Sequence, residues 1–226
     1  MGRGPIKRQT LAVLRQRGVP VQTVIDVGVL TGTPELLATY PDRPHLLFEP
    51  VAEFAPAIAQ AYRNTPHQLV QAAVSDSDGD VHLRVASILG GGQISHSYMA
   101  DEDPEATRVV PKLTLDAYLA AHPAPGPYFL KVDIDGDELK VLRGATETLK
   151  QTSIVMMEVI RYEFAQRVGY LLEHGFVLYD LTEPAYYDHS FWQCDAVYVR
   201  ADLHAAHFKT LDQNLDRRLY EVFDGS

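Results

Sequence analysis

The order of apolar segments along this chain predicts an α/β protein: one doubly wound domain on a mostly parallel sheet with one reversed strand. Three observations carry that expectation. Five short runs rich in Val, Ile, Leu and Phe are each followed by a stretch with helical spacing. Two further apolar runs near the end have no helical period between them and should pair antiparallel. The runs end on glycines or acidic residues, where buried parallel strands give way to loops.

The elements follow in order. Lys7 to Arg17 sets Leu11 and Leu14 among basic residues and reads as a short amphipathic helix, stopped by Gly18 and Pro20. Thr23 to Val27 is the first buried strand, and Pro34 to Tyr40 a helix with proline in its first turn. His45 to Phe48 is the second strand, ending at Glu49-Pro50, with a helix over Glu53 to Tyr62. Leu69 to Val74 is the third, followed by a polar turn, and Val81 to Val85 alternates as an edge strand would. Ser87 to Asp103, with Gly90-Gly91-Gly92, Gln93, Ser95, His96 and Ser97, reads as a long functional loop. Leu113 to Asp116 opens a short helix, Tyr128 to Asp133 is the fourth strand, and Glu138 to Lys150 is helical with a break near Gly144. Ile154 to Glu158 is the fifth strand, and Tyr162 to His174 an amphipathic helix ended by Gly175. Phe176 to Tyr179 and Ala196 to Val199 form the closing pair, joined by a long loop.

With 226 residues there is material for one sizeable core. The expected organisation is a helical extension over 1–20, the main domain over 21–202 and a helical tail over 203–226. A formal net charge of -10 sets the surface against nucleic acid, whose phosphates it would repel. Cys194 is the single cysteine, so no internal disulfide forms, and a buried apolar role is expected for it. The basic start, Met1 to Arg8, leads into no apolar signal core, and no run is long enough to span a bilayer; the expected location is cytoplasmic.

Ligands of open α/β sheets bind beyond the carboxyl ends of the strands. The polar residues there are Asp26 and Gly28, Glu49, Ser75 and Asp76, Asp133 and Asp135, and Glu158. In Asp26-Val27-Gly28-Val29-Leu30-Thr31-Gly32, Gly28 and Gly32 permit a tight turn and close approach to a ligand. Leu30 stands where the dinucleotide fingerprint needs glycine. Glu49 is placed to accept hydrogen bonds from ribose hydroxyls, which suits a nicotinamide cofactor or S-adenosylmethionine equally. The glycine in Asp133-Ile134-Asp135-Gly136-Asp137 comes too early for an EF-hand.

Val24-Ile25-Asp26-Val27-Gly28, Leu47-Phe48-Glu49-Pro50, Met156-Met157-Glu158-Val159 and above all the run Leu130 to Ala145 resemble the FkbM family of methyltransferases, over about Val21 to Val199. The resemblance implies a class I methyltransferase fold, a Rossmann-like three-layer sandwich with a mostly parallel seven-stranded sheet and one antiparallel strand. It implies S-adenosylmethionine as cofactor, held by Asp26, Gly28, Gly32, Glu49, Pro50, Ser75, Asp76 and Asp133, with Ser75 and Asp76 at the adenine. It implies methyl transfer to a hydroxyl of a sugar, glycan or secondary metabolite. The family's first loop reads Asp-x-Gly-Ala-Asn-x-Gly, and this chain departs from it at Val29 and Leu30.

Transfer to a hydroxyl requires in-line approach and removal of the hydroxyl proton. With the family's strand order, Asp133 and Glu158 face one cleft and are candidate catalytic groups. They are placed as a base or, with Asp135, as oxygen ligands for a hard divalent cation such as magnesium. Asp133 equally suits orienting the cofactor or capping the next helix. His96 is the histidine candidate for the base. Tyr186, Tyr187 and Trp192 beside His189 stack on an acceptor, pack their loop down, or form a homodimer contact. Two other functions stand beside this one: a non-catalytic nucleoside-binding relative and a nicotinamide-dependent oxidoreductase.

Overall fold

The computed structural model of the chain describes residues 4–86, 96–99, 108–213 and 215–223. Its first half runs α1 (Lys7–Gln16), β1 (Thr23–Val27), α2 (Pro34–Thr39), β2 (His45–Phe48), a 3-10 turn (Ala52–Phe54), α3 (Ala55–Ala61), β3 (His67–Val70), β4 (Ala73–Val74), β5 (Gly79–Ala86) and β6 (His96–Met99). The second half runs β7 (Arg108–Leu113), α4 (Leu115–Ala121), β8 (Tyr128–Val132), α5 (Glu138–Arg143), α6 (Thr146–Lys150), β9 (Thr152–Ile160), α7 (Phe164–Glu173), β10 (Phe176–Tyr187), β11 (Ser190–Arg200) and α8 (Ala201–His207). Two 3-10 turns follow. No described helix is long and apolar enough to cross a membrane.

Seven strands form the main sheet in the order β10-β11-β9-β8-β1-β2-β3. β11 runs antiparallel to both neighbours and the remaining pairs are parallel, so one strand is reversed, as the sequence predicts. Strand parity explains the layers. Ile25, Val27, Leu46, Leu130 and Met157 face the layer of α5, α6 and α7, packing on Val141, Leu142, Leu149 and Leu171. On the other face, Val24, Phe129, Met156 and Val197 meet Leu11 and Leu14 of α1 and Leu36 of α2. Leu47 meets Ile58 of α3 and Tyr62. Both stripes of the sheet are buried, which is why its strands read as continuous apolar runs.

The structure corrects several expectations. The predicted third strand is two pieces. His67–Val70 stays in the main sheet, while Ala73–Val74 turns away into a second, four-stranded sheet of order β4-β7-β5-β6. The expected edge strand is therefore internal, paired antiparallel with β7 and β6, and its inward Val81 and Leu83 build a small core with Ala73 and Val110. β7 was not foreseen. Its Pro111 breaks the strand signal, and the helix expected from Leu113 starts at Leu115, with Thr114 Oγ1 accepting the Ala117 N–H at 3.1 Å. Finally, β10 and β11 are joined by a tight turn rather than a long loop. Asp188 and His189, at φ 46 and 61, supply the left-handed pair that a two-residue hairpin needs.

Of the predicted loop 87–103, His96–Met99 is strand β6, with His96 opposite Ala86; Gly90-Gly91-Gly92, Gln93 and Ser95 lie outside the described residues. Cys194 is buried, and burial pushes its thiol up to about 11, so it packs rather than reacts.

Candidate active site

The strand order reverses between β1 and β8, the place where open α/β sheets form their ligand crevice. Beyond those strand ends lies a cavity of about 320 Å³. Gly28, Glu49, Pro50, Asp133, Asp135 and Glu158 line it, so six of the predicted site residues come together. Its apolar wall includes Phe48, Ala72, Ala73, Val74 and Ile134.

Gly28 makes the crevice possible. A Cβ there would lie 1.8 Å from the Asp133 carbonyl oxygen, and its φ of +81 suits glycine alone. The two loops touch because Lys131 ties them. Lys131 sits opposite Asp26 in the β1–β8 ladder; its Nζ reaches Asp26 Oδ1 at 3.2 Å, Asp133 Oδ2 at 3.6 Å and the Gly28 carbonyl at 2.5 Å. Burial opposes the charge on Lys131, but Asp26 and Asp133 outweigh it and hold the ammonium above its ordinary pKa.

Glu49 emerges at the tip of β2. Its Oε2 accepts the Leu30 N–H at 2.8 Å and its Oε1 the Val51 N–H at 2.9 Å. Each oxygen keeps a lone pair for a further donor. Burial raises the Glu49 pKa, and the two N–H bonds counter it.

Glu158, on β9, accepts Gln193 Nε2 at 2.5 Å. Burial, then the charges of Asp133, Glu138, Asp135 and Asp195, push its pKa up to about 8. Arg167 holds the strand from behind. Its Nη1 donates to the Glu158 carbonyl at 2.9 Å, while its Nη2 meets Glu138 Oε2 at 2.5 Å and Glu163 Oε2 at 2.6 Å. Glu138 in turn accepts the Gly136 N–H at 3.1 Å and shapes the loop carrying Asp135.

Other predicted residues sit elsewhere. Asp26 points into the helical layer by strand parity; it is fully buried, and its Oδ2 accepts Thr33 Oγ1 at 2.7 Å and Tyr62 OH at 3.3 Å. It braces the floor and does not line the cavity. Gly32 faces Ala61 and Tyr62. Ser75 and Asp76 are outside the cavity lining, just past Ala73 and Val74 of β4, which belong to it; Ser75 lies under Gly144, where a Cβ would come 2.0 Å from its carbonyl oxygen. The carboxylates of Asp133, Asp135 and Glu158 share the cavity without forming a cation site. Among the described residues no group of three or more His, Cys, Asp or Glu is arranged to hold a metal ion. His96 is placed in β6, and its side chain lies outside what the structure describes.

Sequence reasoning missed Leu83, Ser97, Tyr98 and Met99, which the second sheet brings to the cavity, and Gln193 from β11. The alternation of Val81, Leu83 and Val85 marked an inward face; nothing in it said which crevice that face would border.

A mostly parallel seven-stranded sheet with one reversed strand and an acidic crevice at its switch point defines a class I methyltransferase fold. Comparison with known proteins narrows this. The methyltransferase FkbM domain matches residues 26–178, and the chain belongs to that family. A curated relative, hexuronic acid methyltransferase AglP of Haloferax volcanii, is 28% identical over 86 residues, covering 38% of this chain and 34% of that protein. The crystal structure of methyltransferase FkbM from Methylobacillus flagellatus KT superposes with a TM-score of 0.51 at 14% identity, over 79% of this chain and 43% of that one. An rRNA methylase from Streptococcus thermophilus gives a TM-score of 0.50 at 10% identity, over 88% and 98%.

Proposed function

We propose that the chain is an S-adenosylmethionine-dependent O-methyltransferase acting on a hydroxyl of a sugar or glycan. The observation that carries this reading is the charge of the crevice. Glu49, Asp133, Asp135 and Glu158 line it, no Lys or Arg is among the described lining residues, and Lys131 is tucked behind the Asp133 loop. Such a field attracts a cationic sulfonium and repels the pyrophosphate of a nicotinamide dinucleotide. The pocket volume lies at the lower end of the range for small-molecule sites, about 300–1,000 Å³.

When bound, S-adenosylmethionine supplies an electrophilic methyl on a positively charged sulfur. Glu49 is positioned to receive the ribose hydroxyls on its two free lone pairs, and Phe48, Ala72 and Val74 provide an apolar wall for the base. Glu158 stands at the other end as the proton acceptor for the hydroxyl nucleophile. Its pKa near 8 gives a carboxylate basic enough to take that proton and still partly ionised at neutral pH. Gln193 fixes the carboxylate's orientation, and Arg167 fixes its backbone. The partial match to a hexuronic acid methyltransferase supports a sugar acceptor.

Calorimetric titration of the chain with S-adenosylhomocysteine and with NAD tests the reading. Saturable binding of the first and none of the second is expected. Binding of NAD, or of neither, overturns it.

A further inference from the structure

We propose that Arg161, Tyr162 and Trp192 form the acceptor subsite and that it takes a pyranose ring bearing a carboxylate. The inference rests on the reading above, in which the acceptor enters beside Glu158. The β9–β11 ladder carries Glu158 and Gln193 in the crevice wall and continues one step past the Ile160–Gln193 pair, where the Arg161 N–H donates to the Trp192 carbonyl at 2.9 Å. Three residues beyond Glu158 and one before Gln193, the chain therefore presents a guanidinium and two aromatic rings at the catalytic edge of the sheet.

The rings are open to solvent on this rim: Tyr162 is 66% exposed and Trp192 37%. Their centroids are 5.9 Å apart in an edge-to-face arrangement, so each ring braces the other. The Arg161 guanidinium lies 4.5 Å from the Tyr162 centroid, with Nη2 donating to Tyr162 OH at 2.9 Å and Nη1 to Ser190 Oγ at 3.4 Å. Two of its five N–H groups are thus engaged, and the other three have no partner among the described residues. Among the described residues no carboxylate pairs with Arg161, whose side-chain partners are the Tyr162 and Ser190 hydroxyls.

A guanidinium with no carboxylate partner, set beside solvent-facing aromatic rings, is available to an anionic group from outside. A planar fork matches a carboxylate in two parallel bonds, and an aromatic face matches the C–H face of a sugar ring. The acidic crevice repels a carboxylate from its interior, so the carboxylate of the acceptor has to be held outside the lining, where Arg161 stands.

Trp192 is the chain's single tryptophan, so its emission reports on this site directly. The full chain is saturated with S-adenosylhomocysteine and titrated with methyl β-D-glucuronide or methyl β-D-glucoside. The uronide is expected to change Trp192 emission at about 10-fold lower concentration than the glucoside, and Arg161→Gln to erase that difference while the affinity for S-adenosylhomocysteine stays unchanged. Equal responses to the two sugars, no response to either, or an unaltered preference in Arg161→Gln overturns the proposal. Failure of S-adenosylhomocysteine to bind the unaltered chain counts against the functional reading instead. The sugar titration run without it still decides the subsite.

Discussion

The Leu30 N–H donates to Glu49 Oε2 at 2.8 Å, and Leu30 makes that bond with a left-handed backbone, φ +54. A branched side chain in this region is strained by about 1–2 kcal/mol. The family motif has asparagine here, a residue that tolerates the conformation. Leu30 is 40% exposed, so it returns little through burial. Leu30→Asn should therefore raise unfolding stability by about 1 kcal/mol in urea melts while keeping S-adenosylhomocysteine binding. A variant no more stable than the parent would show that the strain is relieved elsewhere.

Glu49 is the other half of that relationship. Glu49→Ala removes the acceptor for Leu30 and Val51 together with both ribose-facing lone pairs. Affinity for S-adenosylhomocysteine should fall by about 1–3 kcal/mol, read by calorimetry. An unchanged dissociation constant would remove Glu49 from the cofactor site.

Glu158 sets the expected pH dependence. Methyl transfer should rise with pH along a single ionisation near 8, because the base works only when ionised. Glu158→Gln should flatten that limb and slow turnover by about 10²–10⁴-fold. Stability moves the opposite way. A carboxyl whose pKa is higher folded than unfolded holds its proton more tightly in the native state, so stability falls as pH rises from about 4.5 to about 8. Glu158→Gln should remove that part of the slope in melts across the window. A rate profile whose limb persists unchanged in Glu158→Gln would exclude Glu158 as the base.

Gly28 joins the first loop to the fourth-strand loop by steric contact. Gly28→Ala forces a Cβ into the Asp133 carbonyl as well as straining its own backbone, and should cost about 3 kcal/mol or more. Gly136→Ala shares the strain, at φ +128, but meets nothing within 4 Å. Its loss should be about 1–2 kcal/mol. Equal destabilisation of the two in denaturant melts would mean that the loops do not need this approach.

What was legible in the sequence follows from this geometry. Residues just past a strand end, such as Gly28, Glu49 and Asp133, are placed by the end of an apolar run, which can be counted; Glu158 was read as the end of its run, and β9 continues past it to Ile160. Asp26 could be counted too, but its direction depends on strand parity within the layers, and parity turns it into the partner of Lys131. The break between β3 and β4, which sets where Ser75 and Asp76 stand, is a tertiary event with no local signature in Leu69 to Val74. The second sheet pairs strands across residues far apart in sequence, which periodicity cannot register. Arg167 was hidden by its type, since an arginine on an amphipathic helix reads as solvated until its carboxylates are located.

Arg167 provides the last test. It is 1% exposed and bridges Glu138 at the start of α5, Glu163 beside α7 and the Glu158 carbonyl of β9. Arg167→Met preserves much of its bulk but leaves Glu138, itself fully buried, without its cation. Breaking one side of a buried pair costs about 3–5 kcal/mol. Adding Glu138→Gln removes the stranded charge and should recover a substantial part of that loss, so the two changes will not be additive. The double variant should also carry a displaced Glu158, since its backbone anchor is gone, and its rate profile should shift from that of the parent even where stability is restored. Additive losses in a double-mutant cycle would show that Arg167 and Glu138 act separately, and that the loop of Asp135 is shaped without the pair.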